Sequence, residues 1–254
     1  MDFKLRLQDK RDEAKGTKTF IFEKPQGFTY KAGQYMYFTL PELKYQDKRG
    51  NVRHFTLSSS PTENFLSITI RMREESGYKK TLDSLELGSE MSARGPQGVF
   101  VLEDKSAQEQ QIMLAGGIGI TPFRSIAKYA TDKGLPIPIH IIYSNSIPEE
   151  IAFRKELDEL TAKNPALNVI HTITKPEESK EAWTGHTRRI DENLIRKLEI
   201  GNCLPAEASA QAGKLATGKF WLCGPPLMVS ALEEVLEKMQ IPQERIRIEK
   251  FTGY

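Results

Sequence analysis

The sequence predicts two successive domains, a small antiparallel β-barrel followed by a doubly wound parallel sheet with helices. In the first hundred residues, short runs rich in Thr, Tyr, Phe and Ile are separated by Gly, Pro and Asn. Such spacing is typical of an antiparallel barrel. Further on, apolar runs alternate with helical periods, which predicts parallel strands joined by helices. The 254 residues suffice for both domains, which we place at residues 1–104 and 105–254.

The first domain is predicted to contain four strands and one helix. The strands are Thr17–Phe22, Tyr35–Leu40, Arg53–Leu57 and Leu66–Arg71, and the helix lies near Thr81–Leu87. Directly before the third of these strands, the charged stretch Tyr45–Asn51 is predicted to be a flexible loop.

The second domain is predicted to alternate strands with helices. Its strands are Ile112–Ala115, Ile137–Tyr143, Val169–Ile173, Phe220–Cys223 and Ile246–Ile248, and its helices are Phe123–Ala130, Ile151–Ala162, Asp191–Leu198 and Leu227–Met239. Because ligands of such sheets bind beyond the carboxyl ends of the strands, we expect the site there. The stretch Gly201–Gly218, rich in Ala and Gly, is predicted to be a surface insertion.

The composition favours a soluble globular enzyme without a nucleic-acid partner. Hydrophobic residues make up 39% and charged residues 28% of the chain, and the formal net charge is only +2, which gives no basic surface. No apolar run approaches the ~18–20 residues that span a bilayer. The N-terminus lacks the apolar core of a signal peptide. We therefore expect a cytoplasmic protein. The expected oligomeric state is a monomer.

Neither the cysteines nor the histidines predict a metal site. The two cysteines, Cys203 and Cys223, are too few for the four thiolates of an iron–sulfur cluster. A disulfide between them is not expected in a reducing cytosol. The four histidines are scattered without the spacing of metal ligands. No metal is therefore expected.

Residues 114–122, Leu-Ala-Gly-Gly-Ile-Gly-Ile-Thr-Pro, are the most informative stretch of the chain. They run from an apolar strand into a helix, and Pro122 suits the first turn of that helix because its missing N–H is not needed there. The glycines allow a sharp turn and leave N–H groups at the positive end of the helix, an arrangement that binds phosphate. Taken alone, the same turn is equally compatible with a purely structural role.

Three further stretches accompany this turn. Residues 220–226 read Phe-Trp-Leu-Cys-Gly-Pro-Pro, residues 53–61 read Arg-His-Phe-Thr-Leu-Ser-Ser-Ser-Pro, and residues 32–35 read Ala-Gly-Gln-Tyr. Together and in their order along the chain, the four stretches resemble the ferredoxin–NADP reductase family of two-domain flavoenzymes. The resemblance covers nearly the whole chain. It implies a FAD-binding barrel followed by an NAD(P)-binding domain, with FAD and NAD(P)H as cofactors.

The resemblance implies a FAD site on the barrel. Arg53 would bind the FAD diphosphate, which a planar guanidinium suits. Phe55 projects to the same face as Arg53 and would stack on the isoalloxazine ring, while Thr56 would place a hydroxyl near flavin N5. The helix after Gly77 departs from the family's clearer Gly-x-x-Ser pattern. The residues implied to bind FAD are Arg53, His54, Phe55, Thr56, Ile70, Arg71, Gly77, Lys80, Thr81, Phe251 and Tyr254.

In the second domain, the resemblance implies a dinucleotide site. Cys223 would lie beside the nicotinamide and position it, because hydride transfer itself needs no thiol; a buried apolar role is the alternative. The choice between NADP and NAD stays open at Ser146, where relatives often carry an arginine, and Arg154, Lys175, Arg188 or Arg189 could replace that arginine. The residues implied to bind NAD(P) are Gly117, Gly119, Thr121, Pro122, Ser144, Asn145, Cys223, Gly224 and Pro225.

The last six residues resemble the family's ending, in which an acidic residue, one spacer and an aromatic ring that covers the flavin follow each other. Glu249 and Phe251 fit this spacing, and Tyr254 competes for the role of the ring. A solvated tail is the alternative. Catalytic roles are accordingly predicted for Thr56, Cys223, Glu249 and Phe251.

The resemblance thus predicts a FAD-dependent NAD(P)H oxidoreductase that passes hydride from nicotinamide to flavin N5 and electrons to a separate acceptor. The expected partner is a small redox protein such as ferredoxin, flavodoxin or an oxygenase component. Two alternatives stay open. One is an NAD(P)H:flavin or ferric reductase that uses flavin as a substrate, and the other is a non-catalytic electron-transfer subunit of a larger complex.

Overall fold

The structure, a computed structural model, describes residues 1–103, 109–200 and 218–251, without the side chains of residues 198–200. The predictions for Cys203 and Tyr254, and all but the last residue of the stretch Gly201–Gly218, lie outside the described residues. Residue 104 lies outside them as well, so the exact boundary between the domains stays a prediction.

The first domain is a six-stranded antiparallel sheet, which confirms the predicted class. Its strands are β1 Asp2–Ala14, β2 Thr17–Glu23, β3 Tyr35–Thr39, β4 Val52–Thr56, β5 Phe65–Arg71 and β6 Glu90–Gln97. The hydrogen-bonded order is β4-β3-β6-β1-β2-β5. The two end strands, β4 and β5, contact each other and close the barrel. They are also the strands that carry most of the predicted flavin residues.

Three elements of this domain differ from the prediction. The strand β6 is not predicted, because its buried positions include the small residues Ala93 and Gly95, so no apolar run marks it. The sequence does not predict β1, because apolar residues alternate only as far as Leu7 and the rest of the strand is largely charged. The helix α1 occupies Gly77–Ser84 rather than Thr81–Leu87. Ser76 caps its N-terminus by accepting a hydrogen bond from the Lys79 N–H, and the backbone is already extended at Leu85.

The second domain is a five-stranded parallel sheet in the order β11-β10-β7-β8-β9, again as predicted. Its strands are β7 Gln111–Gly116, β8 Ile139–Asn145, β9 Leu167–Ile173, β10 Lys219–Gly224 and β11 Ile246–Lys250, and its helices are α2 Ile120–Asp132, α3 Arg154–Lys163, α4 Glu192–Ile200 and α5 Pro226–Lys238. The helix α3 begins at Arg154 rather than at the predicted Ile151, because Phe153 adopts a left-handed conformation with φ of 58°.

Helices cover both faces of the parallel sheet, and each face has its own apolar core. On one face, α2 and α3 bury Ile126 and Leu157. On the other face, α4 and α5 bury Leu194 and Val229. The carboxyl ends of the strands face the barrel, because the turn that follows β7 contacts β5.

Buried polar contacts fix the barrel to the parallel sheet. The guanidinium of Arg124 in α2 donates to the Ser58 carbonyl at 3.0 Å and to the Glu63 carboxylate at 2.5 and 3.0 Å. Arg124 also donates to Glu156 in α3 at 2.5 and 3.0 Å. Beside it, Ser125 Oγ donates to the Ser59 carbonyl at 2.6 Å. These contacts hold the loop between β4 and β5 against α2.

Candidate active site

Two turns at the carboxyl edge of the parallel sheet are pressed against each other. The first links β7 to α2, and the second links β10 to α5. A Cβ on Gly119 would lie 2.2 Å from the Cys223 carbonyl oxygen, so the two backbones cross at contact distance. Gly224 has φ of +153° and lies directly against Gly116. Glycine is therefore required at both positions, at Gly119 for space and at Gly224 for its backbone conformation.

The structure brings the residues predicted for NAD(P) to this one edge. Ser144 is in register with Gly116 across β7 and β8. Thr121 Oγ1 donates to the Ile118 carbonyl at 3.1 Å and stabilises the turn, while Gly117 has φ of +50° and open space beside it. An open glycine turn at the N-terminus of a helix suits a phosphate. The gathered residues are Gly117, Gly119, Thr121, Pro122, Ser144, Asn145, Cys223, Gly224 and Pro225.

A small cavity lies where the barrel meets this edge. The barrel contributes residues at the ends of β4 and β5, and the second domain contributes the first turn of α2 and the residue that follows β11. The backbone N–H of Phe251 donates to the Gly224 carbonyl at 3.1 Å, which fixes the aromatic residue beside the second glycine turn. The cavity therefore joins predicted flavin residues to predicted dinucleotide residues. Its lining consists of Phe55, Thr56, Thr69, Ile70, Arg71, Ile118, Thr121 and Phe251.

Arg53 is buried, and its guanidinium is bound within the protein. It forms an ion pair with Asp47 at 2.5 Å and donates to the carbonyls of Arg49, Gly50 and Val52 at 2.7 to 3.0 Å. The guanidinium also lies 5.1 Å from the ring of Tyr78. These contacts fasten the stretch Tyr45–Asn51, which is a loop as predicted, to β4.

The hydrogen-bond donors around the Asp47 carboxylate indicate whether a cofactor diphosphate fits at this position. Its Oδ1 accepts from Arg53 and from the Arg49 N–H at 3.0 Å. Its Oδ2 accepts from the Tyr78 N–H at 2.9 Å and from Ser76 Oγ at 3.1 Å, both at the N-terminus of α1. A guanidinium, a hydroxyl and helix N–H groups are the donors that bind phosphate. This donor set therefore fits a cofactor diphosphate, with the Asp47 carboxylate as its stand-in.

Three other residues predicted to bind FAD, Gly77, Lys80 and Thr81, lie in α1, whose N-terminus contributes to this donor set. A Cβ on Gly77 would lie 2.1 Å from the Gln46 carbonyl oxygen, so the loop backbone covers the start of α1. Thr81 Oγ1 accepts from the Tyr45 N–H at 3.2 Å. Lys80 pairs with Glu74 at 3.3 Å on the rim of an open groove. Arg71 lines the cavity and pairs with Glu150 at 2.5 Å.

His54 is not brought to the cavity. Alternation along β4 buries Arg53 and Phe55 and leaves His54 on the exposed face. There its ring lies 5.4 Å from Tyr35 and 5.6 Å from Tyr37. The sequence prediction groups His54 with the flavin residues because it lies inside the motif, whereas the strand period of two places its side chain outside.

Glu249 and Cys223 lie side by side, because β10 and β11 pair them in register. The Glu249 Oε2 atom is buried without a hydrogen-bond partner, and burial raises the pKa of this carboxyl to about 7. Burial, with a further contribution from Glu249, also raises the pKa of the Cys223 thiol, which therefore stays protonated. Beside the dinucleotide edge, Glu249 Oε2 can accordingly hold or release a proton near neutral pH.

Glu249→Gln is expected to remove a pH dependence of stability. The folded-state pKa of about 7 exceeds the ordinary value of 4.5, so the folded protein binds the extra proton. The parent therefore loses stability as pH rises between these two values, by on the order of 3 kcal/mol, and the loss is complete above the higher one. Urea unfolding of parent and variant, in mildly acidic and mildly alkaline buffer, measures this difference. An identical pH response in both proteins would contradict the burial of an ionisable carboxyl.

Sequence reasoning missed three residues that shape the site. Asp47 lies in a charged loop, and most such loops are solvated. Tyr78 is fully buried, with its hydroxyl donating to the Phe38 carbonyl at 3.1 Å and its ring 6.0 Å from Phe55. Ile118 lines the cavity from inside the glycine turn. Its apolar side chain gives no chemical signal in the sequence.

Across the described ranges, no group of three or more His, Cys, Asp or Glu side chains is arranged to hold a metal ion. None of the helices within those ranges is both long and apolar enough to cross a bilayer.

Models of two known domain families match the chain. The oxidoreductase FAD-binding domain matches residues 4–102, and the oxidoreductase NAD-binding domain matches residues 113–234. NADH-cytochrome b5 reductase 1 of Neosartorya fischeri is 30% identical over 202 residues, which are 76% of this chain and 60% of that protein. The glycine betaine monooxygenase reductase subunit of Chromohalobacter salexigens is 26% identical over 234 residues, which are 91% of this chain and 59% of that protein.

Among solved structures, a ferredoxin NADP+ reductase from Neisseria gonorrhoeae with bound FAD and NADP has the same fold. It matches with a TM-score of 0.75 at 18% identity, over 98% of each chain. The two domain models define an oxidoreductase with a FAD-binding and an NAD-binding domain in that order, and they confirm the resemblance. The chain belongs to the ferredoxin–NADP reductase-like family of flavoprotein oxidoreductases. It spans about 60% of the length of the two curated relatives.

Proposed function

We propose that this chain is a FAD-dependent reductase that takes electrons from a nicotinamide dinucleotide and passes them to a separate small redox protein. The observation that carries the proposal is the shared cavity, where Phe55 and Thr56 of the barrel meet Thr121 and Phe251 of the second domain. A bound FAD supplies the chemistry that links the two substrates, because it accepts a two-electron hydride and releases single electrons.

The residues of the chain divide the work of binding and positioning. Arg53 and the N-terminus of α1 hold the diphosphate, and Phe55 and Thr56 line the side of the isoalloxazine ring. The glycine turn at Gly117 holds the dinucleotide phosphates. Phe251 covers the position that the nicotinamide occupies, and its ring also excludes water from the cavity. Glu249 holds a proton beside the nicotinamide and Cys223.

The expected acceptor is a small redox protein such as ferredoxin, flavodoxin or an oxygenase component. The names of the two curated relatives support this class, since one is a cytochrome b5 reductase and the other is the reductase subunit of a glycine betaine monooxygenase. A second candidate function, an NAD(P)H:flavin or ferric reductase with flavin as a substrate, is favoured by Asp47, whose carboxylate fills the diphosphate position. A non-catalytic subunit would retain FAD but show little turnover.

NADH is the dinucleotide that the site favours. Ser146 stands where relatives often carry an arginine for the 2′-phosphate. Three of the four cations that could replace this arginine have acidic partners. Arg154 pairs with Glu181 at 2.7 Å, and Lys175 pairs with Glu178 at 2.8 Å. Arg188 lies 3.8 Å from Asp191.

Anaerobic titration with NADH and then with NADPH tests the function. The purified protein is expected to be yellow after desalting, and NADH is expected to bleach the flavin in seconds and NADPH more slowly. Steady-state turnover with ferredoxin, cytochrome b5 or free riboflavin then identifies the acceptor class. A protein that neither binds FAD nor is reduced by either dinucleotide would contradict the proposed function. Bleaching without turnover on any acceptor would favour the non-catalytic subunit.

Phe251→Ala is expected to tighten the binding of oxidised dinucleotide about tenfold and to change the flavin absorption spectrum. The aromatic ring lines the cavity that the nicotinamide enters, so every incoming ligand has to displace it. Phe251→Tyr keeps a ring there and is the matched control. Difference spectra recorded during NAD+ titration measure both effects. An alanine variant with the affinity and spectrum of the tyrosine variant would show that the ring does not cover the flavin.

A further inference from the structure

Asp47 occupies the position that the proposed function gives to the cofactor phosphates. Three donors from outside its loop converge on its carboxylate, namely the Arg53 guanidinium, the Tyr78 N–H group and Ser76 Oγ. Arg53 and the start of α1 belong to the proposed diphosphate site. The side chain of Asp47 is only 7% exposed, although its loop neighbours Gln46 and Lys48 are exposed.

We propose that Asp47 is a specificity-determining residue, which competes with the phosphates of FAD for these donors. It therefore weakens the binding of phosphate-bearing flavins relative to the binding of riboflavin. The proposal rests on the proposed function, because it needs a flavin at this site. FAD binds only after the stretch Tyr45–Asn51 has moved away from α1. Riboflavin has no phosphate and leaves Asp47 in place.

The chemistry of a carboxylate explains the competition. A carboxylate is planar and a phosphate is tetrahedral, but both are oxygen anions. Both accept charge-assisted hydrogen bonds from a guanidinium and from helix N–H groups. Burial alone raises the pKa of Asp47, but hydrogen bonds from Tyr78 and Arg49 and the charge of Arg53 outweigh burial and hold this pKa at about 2. Asp47 therefore stays ionised, and a second anion cannot share its donors.

The loop backbone makes the exclusion steric as well as electrostatic. The Gln46 and Tyr45 carbonyl oxygens lie 2.1 and 2.6 Å from the Cβ position of Gly77, directly over the first turn of α1. The Arg49 and Gly50 carbonyls take two further donors of Arg53. The donors that a diphosphate needs are therefore released together when the loop moves. The apparent association constant for FAD is the intrinsic constant multiplied by the fraction of the protein whose loop is open.

Asp47→Asn tests the competition, with Glu42→Gln as the matched control. Glu42 lies in the same connection between β3 and β4 and is exposed, so its replacement removes the same charge without touching α1. Flavin-free parent and variants, prepared by dialysis against concentrated bromide, are titrated calorimetrically with FAD and with riboflavin. Asp47→Asn is expected to increase the affinity for FAD about tenfold and to change the affinity for riboflavin by less than about twofold. Glu42→Gln is expected to change neither affinity.

A second measurement needs no variant. Hydrogen exchange of the parent, followed by mass spectrometry with and without FAD, reports whether the loop moves. Peptides that cover residues 45–51 are expected to lose protection when FAD binds, because the Tyr45 N–H loses its bond to Thr81 Oγ1 in α1, whereas β5 gains protection.

The outcomes separate this proposal from the proposed function. FAD binding that Asp47→Asn leaves unchanged or weakens would overturn the competition alone, because Asp47 would then merely position Arg53. Greater protection of residues 45–51 in the presence of FAD would overturn it as well. If neither FAD nor riboflavin binds to parent or variants, the proposed function fails and this proposal fails with it.

Discussion

Arg124→Ala is expected to lower the free energy of unfolding by about 3–5 kcal/mol, the usual cost of removing one partner from a buried charged network. The Arg124 side chain is 6% exposed, and its carboxylate partner Glu63 is 12% exposed. Without the guanidinium, the buried Glu63 carboxylate loses its ion-pair partner in α2 and keeps the Ser60 N–H as a donor, and the Ser58 carbonyl loses its donor. The second carboxylate, Glu156, is 30% exposed and can be solvated, so it contributes less to the loss.

Urea unfolding of parent and Arg124→Ala at neutral pH measures this loss. Lys128→Ala is the control on the same helix, because the Lys128–Asp132 pair lies nearer the surface and such pairs contribute at most about 1 kcal/mol. Arg124 also fixes the loop between β4 and β5 against α2, so FAD is expected to dissociate faster from Arg124→Ala than from Lys128→Ala. Equal losses of stability in both variants would show that the network does not hold the domains together.

Most of the fold follows from patterns that are local in the sequence. The apolar strand Ile112–Ala115 and the glycines after it predict both β7 and the turn that follows, because alternation, strand length and backbone conformation act within a few residues. The strand β1 is the main exception. Its second half is largely exposed and charged. It therefore has no alternation of buried apolar residues from which a strand could be predicted.

The candidate site is predictable where chemistry lies in a motif and unpredictable where it depends on distant partners. The motif around Arg53 identifies the strand, yet the partner of Arg53 is a carboxylate from a loop whose composition predicts only solvation. Arg124 is 61 residues away from Glu63 in sequence, and no local pattern connects them. His54 shows the converse. Its place in the motif suggests a flavin-binding role, but the strand period of two places its side chain on the exposed face of β4.

Gly119→Ala is expected to reduce the rate of flavin reduction by NADH about a hundredfold, because a misplacement of about 1 Å at a substrate-positioning turn has an effect of this size. Gly119 has an ordinary helical φ of −63°, so its backbone conformation does not require glycine. Space does, since an added Cβ would lie 2.2 Å from the Cys223 carbonyl oxygen and 2.7 Å from the Gly224 nitrogen. Both neighbours are backbone atoms, which cannot rotate away as a flexible side chain can. The turn between β10 and α5 must therefore shift, and Cys223 and Gly224 shift with it, at a cost of about 1–3 kcal/mol.

Gly134→Ala separates space from conformation at a glycine outside the site, in the turn that follows α2. Gly134 has φ of +58° but nothing within 4 Å of its Cβ position, so alanine there costs about 1–2 kcal/mol of backbone strain without a collision. Stopped-flow reduction of the flavin by NADH, together with urea unfolding, is measured for both variants. We expect similar losses of stability but a much slower reduction for Gly119→Ala, because only that variant displaces the second turn. Equal reduction rates in the two variants would mean that the contact between the glycine turns stabilises the fold without positioning the dinucleotide.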